Sequence, residues 1–222
     1  MTPAAVETTG LTRRFRRRFG RGDTVTALDQ LTLSIPHGSF TAIAGPNGAG
    51  KTTLLEILAT LLLPTSGSVR VMGCDPVATP LAVRRVVGYC PAGSASFWPR
   101  LSGRENLACF AALGGLRLGA AALEARLDDV LAQVGVRPDV AHREVRTYSD
   151  GETQRLNLAR LLLRDAAVWL LDEPTRSPDV DGQAAMWRLI RDVAVARGAT
   201  VLAATHDLSG VAAVTDRVVA LA

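Results

Sequence analysis

A mixed α/β fold is predicted for this chain of 222 residues by three features of its sequence. A glycine-rich loop, Gly45-Pro46-Asn47-Gly48-Ala49-Gly50-Lys51-Thr52-Thr53, sits between an apolar run, Phe40 to Ala44, and a helix-forming stretch, Leu54 to Leu58. A second apolar run, Ala167 to Leu171, ends in Asp172 and Glu173, the pattern of a buried parallel strand that carries acids to the edge of a sheet. Residues 93–147 hold few strand signals and several helical ones, so a helical subdomain over about 93–160 is expected within a single domain, 1–222.

The loop fills every fixed position of G-x-x-x-x-G-K-[ST], the phosphate loop of P-loop NTPases, and its strand-loop-helix setting is the one the motif requires. Glycines at 45, 48 and 50 let backbone N–H groups turn toward a polyphosphate, and the helix that starts near Gly50 adds its positive dipole end. Lys51 is expected to reach the β- and γ-phosphates of ATP and the Thr52 hydroxyl to ligate Mg²⁺. Lys51 is also the one lysine in the chain; every other member of the Lys and Arg set is arginine.

Composition narrows the classes. The 48% hydrophobic content is that of a globular protein with one sizeable core. Apolar runs such as Ile57 to Ala59 and Leu61 to Leu63 are far shorter than the roughly 18 residues of a membrane span. The N-terminus lacks the layout of a signal peptide, so a cytoplasmic address is expected. Cys74, Cys90 and Cys109 are widely spaced and read as reduced, packed thiols. The net charge of +4 is concentrated in Arg13, Arg14, Arg16, Arg17, Arg18 and Arg21, read as a solvated basic loop, with contact to nucleic acid or anionic lipid as the alternative.

Taken in order, the basic run precedes Val25 to Ile35, where Leu31, Leu33 and Ile35 alternate as in a half-buried strand, so an early hairpin is expected. Pro64-Thr65-Ser66-Gly67 turns into a short strand, Ser68 to Gly73. Arg104 to Phe110 and Ala120 to Val134 read as helices, the second with Leu123, Leu127, Val130, Leu131 and Val134 on one face. Ser149 and Glu152 have the spacing of a capping box that opens a helix. Asp181 to Arg197 reads as a helix, Thr200 to Thr205 as a strand that delivers His206, and Val218 to Ala222 as a last strand.

With these residues in place, the chain resembles the ATP-binding-cassette (ABC) ATPases over nearly its whole length. Tyr148-Ser149-Asp150-Gly151-Glu152 resembles the ABC signature, usually written L-S-G-G-Q; Asp150 stands for the first glycine and Glu152 for the glutamine. The resemblance implies an ABC-type core with an antiparallel β subdomain and an inserted helical subdomain. It also implies Mg²⁺ organised by Asp172 and Thr52, water polarised by Glu173, and a γ-phosphate contact from His206. Ser149, Gly151 and Asp179 would touch ATP held by a second nucleotide-binding subunit. Phe15 would stack on adenine, with Phe19 as a competitor in the same pattern. Where the family usually has a Mg²⁺-ligating glutamine, this chain has Ala92.

The stretch Phe97 to Leu107 is similar to export-type cassettes, and two readings of Phe97 and Trp98 stand side by side: lining of a groove that receives a permease helix, and core packing. The expected partners are a separate transmembrane permease, which would hold this chain as a peripheral component at the inner face of the membrane, and a second cassette, identical or not. Nucleic acid is not expected, although a soluble ABC ATPase acting on nucleic acid or ribosomes is one alternative function. A cassette that binds ATP with little turnover is the other.

Overall fold

Two long strands open the chain, β1 (Ala4–Arg16) and β2 (Thr24–Pro36), paired antiparallel with Val6 opposite Ile35 and Phe15 opposite Val25. They form the expected hairpin. The computed structural model describes residues 4–16, 24–92, 97–175, 180–208 and 210–221. Strand β4 (Ser66–Val71) adds to the other edge of β1, giving a three-stranded antiparallel sheet in the order β2-β1-β4. The Thr8 hydroxyl donates to the Leu31 carbonyl at 2.9 Å and accepts the Leu33 N–H at 3.1 Å, which satisfies backbone groups next to an irregularity between Thr8 and Leu11. Arg13, Arg14 and Arg16 belong to β1, not to a basic loop. The Arg13 guanidinium donates to the Leu63 carbonyl at 3.0 Å. Arg17, Arg18, Phe19 and Arg21 lie outside the described residues.

The second sheet is parallel throughout and positions the site. Its strands are β3 (Phe40–Ala44), β5 (Val87–Cys90), β6 (Val168–Asp172), β7 (Thr200–Thr205) and β8 (Arg217–Ala220), in the order β5-β6-β7-β3-β8. Strands β3, β6 and β7 are buried at every residue, as a sheet covered on both faces requires. Because side chains alternate along a strand, each strand feeds two cores. Phe40, Ala42, Trp169, Leu171, Val201 and Ala203 face one; Ile43, Val168, Leu170, Leu202 and Ala204 face the other. The second core is closed by α1 (Lys51–Leu58) and the antiparallel sheet. The first is closed by α7 (Val180–Ala196) and the helices between β5 and β6.

Those helices are α3 (Gly103–Leu113), α4 (Ala120–Gln133), α5 (Pro138–Ala141) and α6 (Asp150–Leu162). Helix α3 starts at Gly103 because Ser102 and Glu105 form a capping box, with the Ser102 backbone N–H donating to Glu105 Oε2 at 2.7 Å. Buried Asn106 ties the preceding turn together, accepting from the Trp98 N–H at 2.8 Å and donating to the Trp98, Leu101 and Ser102 carbonyls. The aromatic pair divides: Phe97 packs in the core against Phe110, whereas Trp98 is 43% exposed. A further short helix, α2 (Pro80–Val86), precedes β5 and was not expected; Pro at its start and Arg84 and Arg85 at its end are favourable for so short a segment. Cys74, Cys90 and Cys109 are free thiols, with Cys90 buried. Among the described residues no helix is long and apolar enough to cross a membrane.

One carboxylate joins the start of β3 to α7. Asp216 accepts the Phe40 N–H at 2.7 Å and a bidentate pair of bonds from Arg191 at 2.7 and 2.8 Å. The Arg191 hydrogen bonds, joined by that of Phe40, hold its carboxyl below the ordinary range against the opposing effect of burial. A depressed folded-state pKa means that the stabilisation is complete above the unfolded value of about 3.9 and is lost as pH falls through the folded value. Asp216→Asn is therefore expected to lower stability by about 1 kcal/mol in urea unfolding at pH 7. The difference from wild type should vanish in strong acid.

Candidate nucleotide-binding site

The loop after β3 is shaped by what lies behind it. A Cβ on Gly50 (φ +88°) would fall 2.1 Å from the Ala27 carbonyl oxygen, and one on Gly45 would fall 2.5 Å from that of Leu221. Backbones distant in sequence thus press against the loop and leave room for glycine alone. The Lys51 ammonium, 6% exposed, donates to the Gly45 carbonyl at 2.6 Å and the Pro46 carbonyl at 3.0 Å. The Thr52 hydroxyl donates to Asp172 Oδ2 at 2.8 Å, joining the first turn of α1 to the end of β6.

Beyond Asp172 the chain turns sharply. Glu173 has φ +46°, a left-handed conformation that costs a residue bearing a Cβ about 1 kcal/mol. Its N–H donates to the Ala204 carbonyl at 3.0 Å, and its carboxylate Oε1 lies 2.9 Å from Nδ1 of His206, just past β7. The Glu173 side chain is largely buried and the His206 ring is open to solvent. A cavity of about 250 Å³ is lined by Asn47, Gly48, Gly50, Lys51, Thr52, Thr53, Ala92, Asp172 and Glu173. Gly45, Pro46 and Ala49 complete the loop around it.

The donor set suits a hard cation held next to phosphate. Thr52 and Asp172 offer two oxygens within hydrogen-bond distance of each other, and among the described residues no cluster of three His, Cys, Asp or Glu side chains could hold a metal by itself. Mg²⁺ in general takes only one or two protein oxygens beside substrate phosphates and keeps several waters, a demand that the Thr52 and Asp172 oxygens would fit.

Ser149, Gly151 and Phe15 do not line this cavity. Ser149 caps α6: its Oγ accepts the Glu152 N–H at 3.2 Å, and Glu152 Oε2 accepts the Ser149 N–H at 2.8 Å. Gly151 has open space where a Cβ would be, so the first turn of α6 can be approached closely. Glu152 is also paired with Arg143 at 3.3 Å, whereas Asp150 is exposed. Phe15 is 37% exposed, with the Arg13 guanidinium 4.4 Å from its ring centre. Asp179 lies outside the described residues. The carbonyls of Ala27 and Leu221 have no motif of their own; only the glycines facing them gave a sequence signal.

The family profile described as ABC transporter matches residues 28–176. The chain belongs to the ABC transporter family. It is 40% identical over 192 residues to the daunorubicin resistance ATP-binding protein DrrA3 of Streptomyces coeruleorubidus, covering 86% of this chain and 59% of that protein. It is 33% identical over 204 residues to the ABC transporter ATP-binding protein NatA of Bacillus subtilis (strain 168), covering 91% and 81%. The cassette therefore spans less than two thirds of the drug-resistance relative. A solved dimer of the ATP-binding cassette MJ0796, in a post-hydrolysis state bound to ADP and Pi, superposes with a TM-score of 0.85 at 26% identity, covering 97% of this cassette and 94% of that chain.

The capping box makes a prediction that holds whatever the site binds. Ser149→Ala removes a side-chain acceptor at the N-cap and should destabilise the cassette by about 1 kcal/mol, whereas Ser149→Asp should be nearly neutral in the absence of phosphate. Chemical denaturation of the two variants checks both.

Proposed function

We propose that the cassette is an ATPase subunit that closes head to tail with a second cassette on two Mg·ATP and drives a separate membrane permease, in the export direction. The observation that carries this reading is a division of labour within one chain. Lys51, Thr52, Asp172 and Glu173 converge on one cavity, with His206 outside its lining and held against Glu173, while the capped, approachable start of α6 also stands outside it. A helix N-terminus is an anion site, so Ser149 and Gly151 are available to the γ-phosphate held by a partner copy.

The chemistry follows from positioning and charge neutralisation. Lys51 and the loop N–H groups hold the β- and γ-phosphates, and Thr52 and Asp172 would hold a Mg²⁺ ion that would neutralise charge on the same phosphates. Glu173 orients and polarises the attacking water. His206, held by its contact with Glu173, reaches the γ-phosphate. Asp179 contributes to the partner's site, and Phe15, with Arg13 over its ring, stacks on adenine. Drug-resistance relatives support export. The permease would take the groove lined by Phe110, Leu113, Arg160 and Arg164, with exposed Trp98 packed against Phe110. Such a partner would place the cassette at the inner face of the membrane.

Two departures from the family pattern set the rate. Ala92 lines the nucleotide cavity without offering an oxygen ligand, and Asp150 brings an exposed negative charge to the anion-accepting end of α6. Glu152 matters less there, because Arg143 and the Ser149 N–H occupy its carboxylate.

Glu173→Gln is expected to lower ATP turnover by at least about 100-fold while ATP binding persists. Retained turnover would remove Glu173 from the chemistry. Asp150→Gly should increase ATP-dependent dimerisation in sedimentation experiments, and Ala92→Gln should raise the hydrolysis rate. No gain in either would show that these positions do not limit the cassette.

A further inference from the structure

We infer that Arg143 is a positioning residue of the shared site, one that neutralises Glu152 and so lets the start of α6 accept a phosphate held by the partner cassette. The inference rests on the head-to-tail reading above and assigns a role to a residue outside every motif of the sequence.

Two carboxylates stand in the first turn of α6, Asp150 and Glu152. A helix start carries about half a positive charge, which two full negative charges outweigh when a polyanion approaches. Glu152 is not free to swing away, because the capping box fixes it: its Oε2 accepts the Ser149 N–H at 2.8 Å. Its charge has to be met in place.

Arg143, in the turn between α5 and α6, meets it there. Its Nη2 donates to the same Oε2 at 3.3 Å and to the Thr147 carbonyl at 2.8 Å. Its guanidinium lies 5.6 Å from the ring centre of Tyr148, and that ring is fixed in turn by a 2.7 Å bond from its hydroxyl to the Val140 carbonyl. Two other arginines share a cavity with Glu152 and are engaged elsewhere, Arg137 with Asp139 and Arg155 with the Val134 carbonyl at 2.7 Å. Among the described residues Arg143 is thus the one cation bonded to Glu152. With it in place the pair is neutral, and Asp150 is the one unpaired carboxylate of the turn.

The test uses the full chain carrying Glu173→Gln, in which slow turnover leaves ATP bound, and reads dimerisation by sedimentation with Mg·ATP. A closed pair contains two such tips, so a loss of about threefold per exposed ion pair becomes about tenfold in the dimerisation constant of Arg143→Gln. The loss should shrink at high salt, as screening requires. Arg143→Lys should retain most of the dimer. Adding Glu152→Gln to Arg143→Gln should restore it, because glutamine keeps the cap and carries no charge to be met. A purely structural role would show instead as lower stability in urea, without rescue by Glu152→Gln. Should Arg143→Gln not fold, Arg143→Met, which keeps an apolar stem, takes its place. The role of Arg143 is overturned if its neutral variant dimerises like the parent or if Glu152→Gln brings no recovery. A parent that forms no dimer with Mg·ATP would overturn the head-to-tail reading itself, and the role of Arg143 with it.

Discussion

Parallel, in-register pairing among β3, β7 and β6 is the constraint on which the site depends. Ala44 stands opposite Thr205, and Asp172 opposite Ala204, so three strands far apart in sequence end at one level. The glycine loop, the Asp172-Glu173 pair and His206 leave the sheet there together. Thr52 and Asp172 can share a hydrogen bond across 120 residues of chain only because this pairing has already set their separation. A slip of one residue would turn every apolar side chain of a strand to the opposite core. Both cores are closely filled with residues such as Trp169 and Leu170 from adjacent positions, so packing protects the register that the chemistry needs.

Polar side chains inside this framework serve mostly to finish backbone that the regular elements leave open. Thr8 repairs an irregular strand pair, Asn106 organises the turn before α3, and Asp216 completes the start of β3. Among the described residues four without glycine's freedom have a left-handed backbone, Gln30, Thr60, Met72 and Glu173, and only the last is at the site. Glu173 holds a left-handed backbone beside the nucleotide cavity, and the Ala204 carbonyl and His206 ring secure it there. The arrangement aims a carboxylate at a place that a relaxed strand end would not reach.

What could be read beforehand was whatever is written locally. The phosphate loop is a contiguous motif; Ser149 and Glu152 announce a helix start through a three-residue spacing; and the run from Ala167 to Leu171 declares a strand buried on both faces. Less legible was anything decided by a distant neighbour. Phe97 and Trp98 are adjacent aromatics, and only the position of Phe110 sends one inward and leaves the other at the surface. The arginines at 13, 14 and 16 looked like a loop because charge density outweighed the alternation of β1, whose partner strands on either side supply the pairing. Helix α2 has seven residues and one buried side chain, Val83, too little periodicity to be visible.

Gly88 on β5 lies so close to α6 that a Cβ there would fall 2.3 Å from the Leu161 side chain. The inner end of α6 is thereby clamped to the sheet, while Ser149 stands at the other end of thirteen helical residues, about 20 Å away. A tilt of about 10° over that length would carry the outer tip about 3 Å. A larger side chain at position 88 would have to displace the Leu161 side chain, and through it press on α6 far from Ser149.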